Sequence, residues 1–423
     1  MACTGCVKHV ETGASIPTSP PPTPTPATQP PHQPFAQHRF EYAIGTVLPS
    51  HKAVSALDQA TIAVYETWKE RHLVAGCEPG EYRVESDVTP YASSSRTIGY
   101  GMLVTSLLAG HDARAQQYFD GLFRYFFAHQ SALTEGLMAS HQDESCLEGS
   151  HSQSDSEADL DIAYALLLAD KQWGSCGAVD YAARARWVIN AIARADMHRE
   201  GRYMLLGDWV APADPANYDT TRPAHFIPGH FRGFQEFMQQ AWWGQVVDNG
   251  YWLLDHLQAT HSQAAGLLPD FVNAADSDDP RPPAPKPHEA DDNGSFGKWA
   301  SSVPLRIGTD YIAYGDMRAK RVLERMNTFV KARAEGEPGR IAPGYTLSGE
   351  PRLGPESMLF TAPLGVAAMC DSQHQDWLNR VWDRVEAAAF EGSTTDSVRL
   401  LSMIVMSGNW WVPDRLPDPC ARH

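Results

Sequence analysis

The sequence predicts an all-α fold in which about a dozen helices pack as hairpins in a closed ring. Three observations lead there. Apolar residues recur at three-to-four spacing in segment after segment, and runs of alternating β-branched residues are nearly absent. The helical segments spread over roughly 380 residues, between loops that hold many of the Gly, Pro and Trp residues.

In chain order, the first helix is expected over 53–71 and the second over 101–108. Tyr118, Phe119, Leu122, Phe123, Phe126 and Phe127 mark the face of a third, and 160–173 is an almost wholly apolar fourth. Trp187, Val188, Ala191 and Ile192 give a fifth, 231–240 a sixth, and Trp252, Leu253, His256 and Leu257 the face of another. The remaining helices are expected at 309–332, 375–389 and 397–406. Two breaker-rich runs punctuate this series. The Pro/Thr tract at 15–34 can form neither helix nor sheet core and favours extended polyproline geometry, as a spacer does. The run DSDDPRPPAPKPHEADDN at 276–293 reads as an exposed loop, of a length often met at a functional rim. The chain is therefore expected to comprise an N-terminal segment, 1–36, and a single domain, 37–423.

Composition narrows the function. With 34 Lys+Arg against 51 Asp+Glu the 423-residue chain carries a formal charge of −17, and it has no basic run, so it offers no footprint for a nucleic-acid backbone. At 43% hydrophobic and 20% charged it is not a disordered protein. No uncharged apolar stretch reaches the length of about 18 residues that spans a membrane. The seven cysteines are thinly spread; Cys3 and Cys6 have metal-motif spacing but no second pair to complete a zinc site. The opening MACTGC resembles the end of a bacterial lipoprotein signal without its apolar stretch, which makes Cys6 a candidate lipid anchor. Export, as a secreted, periplasmic or surface-anchored protein, is the expected localisation. The protein is expected to be a monomer and to need no cofactor.

The chemistry concentrates at SEADLDIAYALLLADKQW, 156–173. Glu157, Asp159 and Asp161 alternate at the start of a helix, where the helix dipole and free N–H groups favour one acid. Three are harder to explain as caps, because like charges so close raise one another's protonation. Glu157 and Asp161 share a helix face while Asp159 points elsewhere, so the trio divides between a site and a structural role. Seventeen histidines show no metal-ligand spacing, and His141, His151, His225, His230 and His288 read as single loop residues; no metal is expected. No phosphate loop or Gly-x-Ser-x-Gly elbow is present.

The 156–173 segment resembles the signature of glycoside hydrolase family 8, inverting enzymes that cleave β-1,4-linked glucans, xylans and chitosan. One departure is Glu157, where the pattern has Asp. Further blocks follow in the family's order. GYGM at 99–102, TRPAHFIP at 221–228, LPDFV at 268–272, PLRIGTDY at 304–311, DSVRLL at 396–401 and SGN at 407–409 all resemble family motifs. The resemblance implies an (α/α)6 barrel. It also implies two losses. The family's general acid, the Glu of Ser-Glu-Gly-Gln-Gly-Tyr-Gly-Met, aligns with Arg96 in SRTIGYGM, and a guanidinium cannot act as an acid near neutrality. The base of many members aligns with Trp299.

Inverting hydrolysis needs a protonated carboxyl and an ionised one on opposite faces of the sugar. Members with the base in an inserted loop make Asp291, Asp292 and Glu289 alternatives for it; Glu85, Asp87, Asp143 and Glu144 are the nearest substitutes for the acid. On this reading Glu157, Asp159 and Asp161 contact the sugar at the cleavage point. Tyr100 and Trp299 stack on it, and Arg96 and Arg306, with Asp310 and Tyr311, bind its polar or anionic substituents. Further aromatics at motif ends, Trp173, Trp209, Tyr218, Phe226, Tyr314, Trp410 and Trp411, are candidates for the cleft. Two functions stay open: hydrolysis of a β-linked polysaccharide, or binding of a glycan in a groove that no longer turns it over.

Overall fold

The computed structural model describes residues 30–284 and 293–420. The chain begins with α1 (Val54–His72), short strands β1 (Leu73–Ala75), β2 (Tyr82–Val84) and β3 (Tyr91–Ser94), then α2 (Ser95–Leu107) and α3 (Ala115–Ala128). β4 (His141–Asp143), α4 (Ser156–Trp173), α5 (Tyr181–Ala195) and the one-turn α6 (Pro215–Tyr218) follow. The rest is helical: α7 (Pro228–Met238), α8 (Trp242–Thr260), α9 (Val303–Tyr314), α10 (Met317–Arg333), α11 (Met358–Ala368), α12 (Gln375–Glu386) and α13 (Ser393–Met406).

Burial sorts the helices into two rings. Every residue of α4 except Lys171 is buried, as befits a helix covered on all sides. In α12, by contrast, Trp377, Leu378, Val381, Trp382 and Val385 form one buried stripe, and the opposite face is wet. The buried helices α2, α4, α7, α9, α11 and α13 pack in that order, and α13 closes on α2. Outside them α3, α5, α8, α10, α12 and α1 pack against the inner ring. This is the (α/α)6 barrel that the sequence implied.

Because outer and inner helices alternate along the chain, all six inner helices start at the same end. Connections at the far end run from two to seven residues. At the near end all but 387–392 exceed twenty residues, and the two small antiparallel ribbons, β1–β2 and β3–β4, lie there. A disulfide, Cys77–Cys146, ties the loop after α1 to the loop after β4. The far end is covered by residues 30–52, whose backbone bonds in turn to Gln172, Ala109, Ile312 and Met369, and a second disulfide, Cys176–Cys420, closes it. The spacer tract up to residue 29 and the candidate anchor residue Cys6 lie outside the described residues.

Two helices depart from the sequence expectation. The run 309–332 is two helices, because Gly315 takes a left-handed conformation (φ 70°) and Asp316 caps α10 through the Arg318 amide. α11 was not expected: MLFTAPLGVAA has no polar face to reveal a helical period, and Pro363 lies inside it.

Candidate functional site

The mouth of the barrel is where α2 and α4 come closest. A Cβ on Gly99 would stand 3.0 Å from the Asp161 Cβ and 3.3 Å from the Ala158 carbonyl, so glycine is what permits the approach. Ser94 caps α2 in a capping box with Thr97, and Asp155 caps α4 through the Glu157 amide. Arg96 and Glu157 thus stand on the first turns of neighbouring helices.

Their charges form one network. The Arg96 guanidinium donates to Glu157 Oε2 at 2.7 Å and to Asp155 Oδ2 at 2.9 Å. From α9, Arg306 donates through a fork to both oxygens of Asp161, at 2.7 and 2.6 Å, and to Glu157 Oε1 at 3.1 Å. His230 on α7 completes it, its Nε2 lying 3.0 Å from Asp161 Oδ1. Burial opposes the charge on Asp161, yet Arg306 and His230 together hold its pKa below the usual carboxylate range. Burial pushes the His230 imidazole down to about 4, so it is neutral here.

Above this network lies Trp299, half-buried, with the guanidinium carbons of Arg96 and Arg222 each 4.3 Å from its ring. Arg222 also stacks on Phe271 at 4.4 Å, and its Nε has no hydrogen-bond partner. Two carboxylates flank the tryptophan. Asp155, 22% exposed, feels burial against its charge, but Arg96, Arg222 and His225 outweigh that and hold it ionised. Asp270, 7% exposed, accepts the Ala300 amide at 2.7 Å and the Gly297 amide at 3.2 Å. Burial pushes its pKa up to about 6 despite those bonds. The β3–β4 ribbon brings Tyr91 and His141 to the same mouth, where Tyr91 Oη lies 2.5 Å from Nε2 of His151 in the helical turn 149–151.

Several expected site residues are elsewhere. Glu157, Asp159 and Asp161 are all 0% exposed: Glu157 pairs with Arg96 and Arg306, Asp161 with Arg306 and His230, and Asp159 accepts the Met138 amide. Arg306 and Tyr100, 3% and 2% exposed, lie under the floor. Asp310 sits one turn further down α9 and bonds Arg232 and Tyr251; Tyr311 approaches Gly45 at the far end. Tyr314, which bonds Asp414, and Trp410, whose amide bonds Tyr42, are at that far end too. His225 and His230, read as loop residues, are buried. Asp291, Asp292, Glu289 and His288 fall outside the described residues. Sequence reasoning missed Asp155, Arg222 and Asp270 as site residues. Asp155 was legible as the residue just ahead of the acidic run, and Asp270 as the acid of the 268–272 block.

Asp159 has a structural role. Its Oδ1 accepts the Met138 amide at 2.9 Å, while its Oδ2 and the Asp196 Oδ2 lack any N–H or O–H donor. A proton shared between the two acids satisfies both, and burial, with repulsion from Asp208, pushes Asp196 up to about 8. Since the folded pKa is raised, the folded state binds more protons than the unfolded one above about pH 4. Stability is therefore expected to fall as pH rises from 5 to 8, by up to about 1.4 kcal/mol per unit. Asp196→Asn keeps the bond without the proton, and urea melts at the two pH values should show that fall reduced.

Comparison with known proteins came out consistently. The family model described as glycosyl hydrolases family 8 matches residues 45–408. A β-glucanase of Niallia circulans is 40% identical over 90% of this chain and 92% of its own. An endoglucanase of Bacillus sp. (strain KSM-330) is 34% identical over 91% and 83%. Among solved structures, an apo β-1,3-1,4-glucanase from Paenibacillus sp. X4 superposes with a TM-score of 0.85 at 38% identity, over 92% of this chain and all of that one. A cold-adapted family 8 xylanase shares the fold, with a TM-score of 0.71 at 16% identity, over 90% and 98%.

Proposed function

This chain belongs to glycoside hydrolase family 8 and is a glycosidase by family, and from that premise we propose that it takes a β-linked glucan across the mouth of the barrel and hydrolyses it with the leaving-group protonation curtailed. The carrying support is Arg96: by the resemblance of SRTIGYGM it stands where the family has its acid, and its guanidinium is held between two carboxylates. It can neither give up a proton near neutrality nor swing away cheaply. Arg222, whose Nε lacks a partner, supplies an N–H donor for sugar hydroxyls beside Trp299.

On the other side of the cleavage point, the general base of this reading is Asp270. It lies against the backbone of 297–300, the loop whose Trp299 aligns with the base of many members. A carboxyl with a pKa of about 6 is ionised at neutral pH and basic enough to take a proton from water. Without an acid, rate then depends on the leaving group. A cello-oligosaccharide bearing a dinitrophenyl or fluoride leaving group should be cleaved far faster than β-glucan itself. Asp270→Asn should lower that cleavage by about 100-fold or more, with glucan binding retained. The parent's rate should drop as pH falls through about 6, since only the ionised carboxylate serves.

A second reading is favoured by Trp299 itself, an aromatic where a base is expected. If no activated substrate is turned over while glucan still binds, the protein is a glycan-binding member of the family. Two disulfides among the described residues support export, because such bonds persist in oxidising compartments. No helix among the described residues is long and apolar enough to cross a membrane.

A further inference from the structure

We propose that His256, His261 and Asp279 form a divalent transition-metal site of the zinc class, which pins the 273–281 loop to the C-terminal end of α8. The ligand atoms of the three residues all lie within 4.8 Å of one another. They come from separate elements: His256 is in the last turns of α8, His261 is its C-cap, and Asp279 is on the loop that Asn273 and Arg281 close by backbone pairing.

A second, independent observation points to a ligand. The Nε2 atoms of His256 and His261 are both buried without any hydrogen-bond partner. A buried imidazole nitrogen left bare is costly unless something fills the gap. The nearest carboxylate oxygen does not: Asp279 Oδ1 stands 3.8 Å from His256 Nε2, beyond hydrogen-bond reach. Ligands on a tetrahedral ion lie about 2.0–2.2 Å from it, hence about 3.4 Å from each other. Closing the trio therefore needs movements of about 1 Å, and Asp279 is 67% exposed on its loop.

The donor set decides the ion. Two imidazoles and one carboxylate suit zinc and its neighbours, whereas calcium and magnesium require oxygen throughout. A cation also gains from the negative end of the α8 dipole, which His261 caps. Arg281 takes the other Asp279 oxygen at 3.3 Å, leaving Oδ1 for the ion. Trp252 stacks on His256 at 5.3 Å and fixes its ring. Three protein ligands leave a fourth position for water. The loop so anchored contributes Ala275, Ser277 and Asp278 to a cavity of about 320 Å³ that it shares with Trp252 and Arg222, next to Trp299. The ion would thus hold one wall of that cavity in place. The site stands independently of the glycan reading.

The test is isothermal titration of zinc chloride into the chelator-treated, untagged full chain, with a melting curve at each metal concentration. One equivalent should bind, Tm should rise, and cobalt should give the intense visible bands of a four-coordinate ion. His256→Ala with His261→Ala should abolish the event, and Asp279→Asn should weaken it about tenfold or more, with circular dichroism unchanged. Calcium should give no heat. Absence of saturable zinc binding below about 100 μM, or an identical event in the double histidine variant, overturns the proposal.

Discussion

Arg96→Glu combined with Asp155→Ala is expected to raise reducing-sugar release from β-glucan by about 100-fold or more over the parent, the scale that a positioned general acid contributes. The electrostatics favour it. Glu157 keeps its carboxylate contact with Arg306, which still reaches its Oε1 at 3.1 Å in the double variant. A new carboxyl at position 96 would face that charge and lose solvent on the same floor, and both effects raise its pKa toward neutrality, as an acid requires. Asp155 has to go with Arg96. Left in place it would lose the guanidinium that holds it ionised and add a third carboxylate to the cluster. The single Arg96→Glu variant should therefore fold less stably and gain less. The same double variant should show little gain on substrates with activated leaving groups, which need no proton. If release from β-glucan stays at the parent's level while binding persists, protonation is not the step that residue 96 controls, and the proposed function fails at its carrying observation.

How far the sequence revealed this molecule depended on what each signal was made of. Outer helices were read from amphipathic stripes such as 375–389, and α4 from an acidic start followed by unbroken apolar residues. α11 left no such trace, since a helix buried on every side has no period. The motif carried Arg96, Glu157, Asp161 and Arg306 to one place, and the structure does bring them together. What the motif could not carry was depth. Spacing puts Glu157 and Asp161 on one helix face, but it takes α9 and α7 to show that this face looks inward to Arg306 and His230. Asp155, Arg222 and Asp270 depend on loops meeting over Trp299, contacts between residues 30 to 203 positions apart that no local pattern encodes.

Arg306→Met should be the most destabilising change at the mouth, lowering unfolding free energy by about 3–5 kcal/mol at pH 7, the loss typical when one partner of a buried ion pair is removed. The guanidinium is 4% exposed and its two carboxylates are fully buried, so no water replaces it. Glu157 would keep Arg96, but Asp161 would be left with a neutral His230. Arg306→Lys should fall between, because an ammonium cannot fork to both oxygens of Asp161. Arg96→Met should cost less than Arg306→Met: Glu157 retains Arg306, and Asp155 at 22% exposure can be hydrated. The pH dependence follows from the depressed pKa of Asp161. A carboxylate of this kind adds stability above its unfolded pKa of about 4 and loses that contribution as pH falls through the folded value. The deficit of Arg306→Met should accordingly be largest at high pH and shrink on acidification, starting above about pH 4, because burial without Arg306 raises the pKa of Asp161 in the variant and it takes up a proton there. Urea denaturation of the three variants across that range checks both the order and the sign. A deficit under about 1 kcal/mol for Arg306→Met, on the scale of a surface pair, would mean that Asp161 finds other compensation and that this network does not hold α4, α7 and α9 together.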